Sequence, residues 1–224
     1  MNSRTIGIAV AAALVAAVLG YWGYGAHKTR AVQSTAVRQV TDAAVRLREA
    51  LTILAGRPEG DAAQTVQKLD EHAAAVDHGL QELKRLGSSS HQALADAADD
   101  YLLTAREILK RQAESQRYRS LWRQSWQALR DHLRHDTRTG AWVQQAVKAR
   151  ERVNRDFRGY SMAAETLEKL LESLAASQKR IAPYTGAGSL IADGLVAKAR
   201  GRVLDDLQRA TAEMDKLKQL DALR

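Results

Sequence analysis

AAQTVQKLDEHAAAVDHGLQEL, residues 62–83, places Ala62, Val66, Leu69, Ala73, Val76, Leu80 and Leu83 at alternating spacings of four and three. That rhythm keeps one face of an α-helix apolar and, when sustained, makes a seam along which helices coil around one another. Strands need alternation at every second position, and no stretch sustains it with β-branched residues. No Asn-Gly or Asp-Gly hairpin joins two alternating runs. With only two prolines and much Ala, Leu, Arg, Gln, Glu and Lys, the chain reads as all-α.

The same seam continues on both sides of this stretch. Upstream it runs Val37, Val40, Ala44, Leu47, Leu51 and Leu54, and the breaker Gly56-Arg57-Pro58-Glu59-Gly60 ends it. Downstream, Gly87-Ser88-Ser89-Ser90 stops the second helix, and Ser89 with Gln92 has the form of a capping box for the third. The third helix spans about Ser90 to Asp136, with Leu94, Tyr101, Ile108, Trp122, Trp126, Leu129 and Leu133 on its seam. A turn at Thr137-Arg138-Thr139-Gly140 leads into a fourth helix along Val143, Val153, Phe157, Tyr160, Leu167, Leu174 and Ile181. A loop over Ala182–Gly188 precedes a fifth helix carrying Val196, Val203, Leu207, Met214 and Leu217.

Short turns make consecutive helices antiparallel, so the expected body is an up-and-down bundle of coiled-coil character. Its units are a short helical hairpin over 27–87, a long basic hairpin over 88–182, and a loop and C-terminal helix over 183–224 packing on the bundle. Helices of about 25 residues followed by helices of about 45 imply that the long hairpin projects some 30 Å beyond the short one.

Residues 1–26 read as an N-terminal transmembrane signal anchor. Thr5 to Tyr24 carry no charge, and a run of about 20 apolar residues crosses the ~30 Å hydrocarbon layer. Tyr21, Trp22 and Tyr24 suit the headgroup level. A cleaved signal peptide is the competing reading, but Tyr24 stands where a cleavage after Ala26 needs a small residue. A four-residue tail before the apolar run is the usual form of an anchor that exports the remainder of its chain, which points to a single-pass protein with a periplasmic body; Lys28, Arg30 and Arg38 keep a cytoplasmic body in play. Ala9, Ala13 and Ala17 allow close approach of two anchors, and the seams favour a homo-oligomer. With no cysteine, thiolate chemistry and disulfides are excluded.

The net charge is +8, and it is concentrated. Between Arg106 and Arg158 fourteen Lys or Arg face six acids, a surplus equal to that of the whole chain. Arginine dominates, which favours planar, bidentate contact with carboxylate or phosphate. Arg117, Arg119, Arg123, Arg130, Arg134, Arg138, Arg150, Arg152, Arg155 and Arg158 are the expected partner-binding residues. Trp122, Trp126, Phe157 and Tyr160 lie on seams and read as hairpin core. An acidic protein or envelope polymer is the expected partner, beyond the lipid bilayer met by residues 5–24; nucleic acid is disfavoured because no recognition motif accompanies the charge.

Catalysis is not expected. No histidine follows Glu by three residues, as a di-iron bundle requires, and there is no phosphate-binding loop or Gly-x-Ser-x-Gly elbow. His132 and His135 beside Asp131 and Asp136 form a weak metal candidate, and no cofactor is implied. Gln112, Ser115 and Arg119 interrupt the third seam, either as a register device or as a pocket in which Arg119 or Arg150 binds a small acidic ligand. The leading function is thus a membrane-anchored helical scaffold or adaptor. An extracytoplasmic ligand-binding sensor module and a cytoplasmic-facing polyanion binder are the alternatives.

Overall fold

The computed structural model describes residues 33–56, 62–85, 92–134, 139–186 and 189–222, with side chains as far as Leu217. Among them the secondary structure is helical throughout: α1 (33–55), α2 (Ala62–Arg85), α3 (Gln92–Arg134), α4 (Gly140–Thr185) and α5 (Asp193–Ala222). The apolar run 5–24 expected to be the anchor lies outside the described residues, as do Ser89, His135 and Arg138. Among the described residues no helix is long and apolar enough to cross a membrane.

Cross-helix pairs fix the topology. Glu49 of α1 meets Lys68 and His72 of α2, while Arg38 meets Glu82, so α1 and α2 are antiparallel. Asp77 and Asp70 of α2 meet Arg106 and Arg117 of α3, again antiparallel. Thr104 and Asp100 of α3 reach Ser177 and Arg180 of α4, and Arg200 of α5 reaches Glu168 and Glu172 of α4. Asp206 of α5 also touches α3, at Arg119. The Gln112 amide donates to the Ala50 carbonyl of α1 at 2.9 Å. Helix α3 is therefore the central rod, touched by all four others.

That position explains which apolar residues are buried. The seam residues Leu94, Tyr101, Ile108, Trp122 and Leu129 are buried, but so are Leu102, Leu109 and Ala113, which lie off it. A single stripe serves a helix with one neighbour, whereas a helix with four neighbours buries most of its circumference. Gln112 pins α3 to α1 within this core, while its Oε1 has no hydrogen-bond partner among the described residues.

Two expectations need correction. Helix α4 does not end before Pro183; it runs through that proline to Thr185. A proline so near the end forfeits one hydrogen bond, and Gly186, at φ 66°, then supplies the left-handed residue that closes the helix. The next turn is held by the Gln178 side chain, whose Oε1 accepts from the Ile191 amide at 2.7 Å. The second correction concerns the overhang. The pairs Asp77–Arg106 and Asp70–Arg117 set a register in which Ala62 lies level with Leu121–Ser125. Helix α3 then continues only about 15 Å to Arg134, half the expected projection. The extra length of α3 is shared between the two ends of the bundle, and α5 accompanies the hairpin along one flank.

Candidate interaction site: the basic end of the α3–α4 hairpin

The hairpin closes on a cap and a ring stack. Thr139 is the N-cap of α4, its Oγ1 accepting from the Trp142 amide at 3.2 Å. The Trp142 indole stacks on His132, with centroids 5.0 Å apart, and its Nε1 donates to the His132 carbonyl at 3.3 Å. His132 Nε2 lies 3.0 Å from the Trp142 carbonyl. This histidine is thus occupied in closing the turn. Among the described residues no three His, Asp or Glu side chains gather as a metal site.

Further down, Trp122 stacks on Tyr160 at 6.0 Å and tilts against Phe157 at 5.8 Å. The aromatics are hairpin core, as their seam positions imply, and burial pushes the Tyr160 phenol above its ordinary pKa. Tyr118 lies against Gly159, where an added Cβ would come within 2.5 Å of the ring. Glycine is what lets the two helices sit this close.

The arginines fall into two groups. Arg117 is paired with Asp70 of α2, and Arg119 with Asp206 of α5 at 2.8 Å. Arg106 and Lys110 share Asp77, and Arg111 reaches Glu114. Burial works against the Asp77 carboxylate, but the hydrogen bonds from Arg106 and Lys110 outweigh it and hold its pKa below the ordinary value. In the second group, Arg134 meets Asp131 at 3.5 Å and Arg155 its chain neighbour Asp156 at 3.2 Å. Arg123, Arg130, Lys148, Arg152 and Arg158 are exposed and make no ion pair among the described residues. Arg150 is exposed as well.

Helical spacing separates these cations instead of gathering them. At about 100° per residue, Arg123 and Arg130 share the stripe of Arg119, which faces α5. Lys148, Arg152 and Arg155 share the stripe of Gly159, on the opposite flank beside Tyr118. Arg158 points outward, and Arg150 follows the Phe157 stripe towards α5. The nine expected binding residues that are described, all but Arg138, therefore girdle the hairpin and form no single face. Two features lie beyond the sequence reading: the acids on α2 and α5 that neutralise the proximal arginines, and an open apolar strip at Tyr118, Leu121 and Met162. The second had a signal, since Leu121 and Met162 are large apolar residues off every seam.

The chain matches no protein-family model, no curated protein and no solved structure.

Proposed function

We propose that the protein is a membrane-anchored scaffold or adaptor whose α3–α4 hairpin presents distal cations to an acidic protein or envelope polymer. The observation that carries this reading is the contrast in pairing: Arg106 to Arg119 are matched by carboxylates, whereas Arg123, Arg130, Lys148, Arg152 and Arg158 make no ion pair among the described residues. Unpaired guanidiniums around a rigid rod can each meet a carboxylate or phosphate without first breaking a native contact.

The anchor gives this arrangement a direction. Residues 5–24 precede α1, whose first turn lies at the end of the bundle away from the Thr139 turn. The 43 residues of α3 span about 65 Å, far beyond the ~10 Å screening length in salt, so the cations act on partners distant from the bilayer. The ligand-binding sensor is the weaker reading, because Arg119, one of the guanidiniums assigned to it, is paired with Asp206.

Binding of poly-glutamate to the full chain in detergent tests the proposal. Arg123→Glu, Arg130→Glu and Arg158→Glu combined should weaken capture by at least about tenfold with helicity unchanged, since like charges now oppose the ligand. The same loss from reversing the paired Arg111 and Arg117 would reduce the effect to net charge and overturn the assignment. Tighter binding to DNA, with a steep salt slope, would favour the polyanion alternative.

A further inference from the structure

The four helices around α3 leave one strip of it open, between α2 and α4. Near its middle the strip is apolar. Tyr118 is 39% exposed, Leu121 47% and Met162 69%, all large for an unpartnered surface. Leu121 separates two grooves. One, of about 600 Å³, runs along Ala62, Ala63 and Val66 of α2; the other, of about 650 Å³, lies over Gly159 and Ala163 of α4. The grooves are holes, and Leu121 and Met162 are knobs beside them. Knobs and holes on the same patch fit a copy of that patch.

The charges flanking the strip are ordered in the same self-complementary way. Towards the turn stand Lys148 and Arg152 of α4; towards the other end stands Glu71 of α2, and none of the three makes an ion pair among the described residues. Arg152 lies seven residues above Gly159, about 10 Å at helical rise, and the α2–α3 ion pairs put Glu71 about 10 Å below Leu121. A two-fold axis at the level of Leu121 and Gly159 carries Arg152 on α4 of one copy over α2 of the other, level with Glu71.

We propose that this strip is the interface of an antiparallel homodimer, with the two-fold axis crossing α3 beside Leu121. It does not depend on the acidic-partner reading, which concerns capture of another molecule.

The chain has no cysteine, so a single introduced thiol reports directly on the axis. In the full chain in mild detergent, Leu121→Cys should form an intermolecular disulfide under mild oxidant. The rate should exceed that of Leu204→Cys, exposed on α5, by at least about tenfold, because the axis brings only position 121 against its own copy. Met162→Glu should shift sedimentation from dimer towards monomer. Arg152→Glu should do the same, and adding Glu71→Arg to it should restore the dimer. Cross-linking at 121 no faster than at 204 would overturn the proposal, whether the chain is then monomeric or associates through Ala9, Ala13 and Ala17. A monomeric Leu121→Cys chain whose thiol is protected from maleimide would also overturn it, and would assign the strip to the chain's own residues 5–24.

Discussion

The two halves of the basic segment are built from the same residue types and do different work. From Arg106 to Arg119, every cation but Arg111, which meets Glu114 on its own helix, meets an acid brought from elsewhere in the chain: Asp70 and Asp77 on α2, Asp206 on α5. From Arg123 to Arg158 the described acid contacts are local, Asp131 to Arg134 and Asp156 to Arg155, and five cations make none. The difference comes from what stands alongside. Where α2 and α5 flank α3, their carboxylates cancel its charge; past the start of α2, one flank has no helix to supply acids. A charge surplus counted along sequence is therefore not the field a partner meets.

The largest expected effect lies at Arg119–Asp206, whose side chains are 16% and 9% exposed. Asp206→Ala leaves Arg119 partly buried without its acid, and urea unfolding should show a loss of about 3 kcal/mol. Arg119→Ala should cost about half as much, since Arg202 still stands 3.5 Å from Asp206 and keeps that carboxylate paired. Equal losses would mean that Arg202 does not share the acid.

Gly159 sharpens the boundary between the halves. In a helix interior alanine is favoured over glycine by about 1 kcal/mol, yet a Cβ here meets the Tyr118 ring at 2.5 Å. Gly159→Ala should therefore destabilise by about 1 kcal/mol, the overpacking cost exceeding the propensity gain. In a Tyr118→Ala background the sign should reverse, a double-mutant cycle that chemical denaturation can read.

Asp77 provides a smaller, pH-dependent test in the proximal half. Its pKa is lowered from an ordinary 3.8, so its contribution is present above that value and is lost as pH falls through the folded-state pKa. Thermal melts between pH 6 and pH 3 should show an acid limb that Asp77→Asn diminishes. Protonation of the carboxyl releases Lys110 and leaves Arg106 with only its neighbour Glu107, and the asparagine removes that step.

Much of this was legible in the sequence. The four–three rhythm located the helices, and the breaker at Gly56, the turn before Gly140 and the aromatic core at Trp122, Phe157 and Tyr160 agree with the structure. What stayed hidden is what depends on three or more helices at once. Leu102 and Leu109 are buried because α3 is central, and no pattern within α3 states how many neighbours it has. Val143, placed on the fourth seam, is half exposed beside the turn. The pairing of Arg119 with Asp206 spans 87 positions, so nothing local marks that arginine as structural.

The smallest effect carries the sharpest sign. Arg123→Gln or Arg130→Gln removes a cation that has no acid partner among the described residues, so stability should change by no more than about 0.5 kcal/mol. At low salt the change should be a gain, because each substitution relieves repulsion from its neighbours on the hairpin. At about 1 M salt, where screening acts within ~3 Å, the gain should vanish. Arg117→Gln, which breaks the pair with Asp70, should instead lose stability at low salt and lose less as salt rises. Opposite slopes against ionic strength, measured by the same denaturation experiment, are what separate a cation held for the fold from one left for a partner. Parallel slopes would mean that the distal arginines are also matched by acids, and the distinction between the two halves would fail.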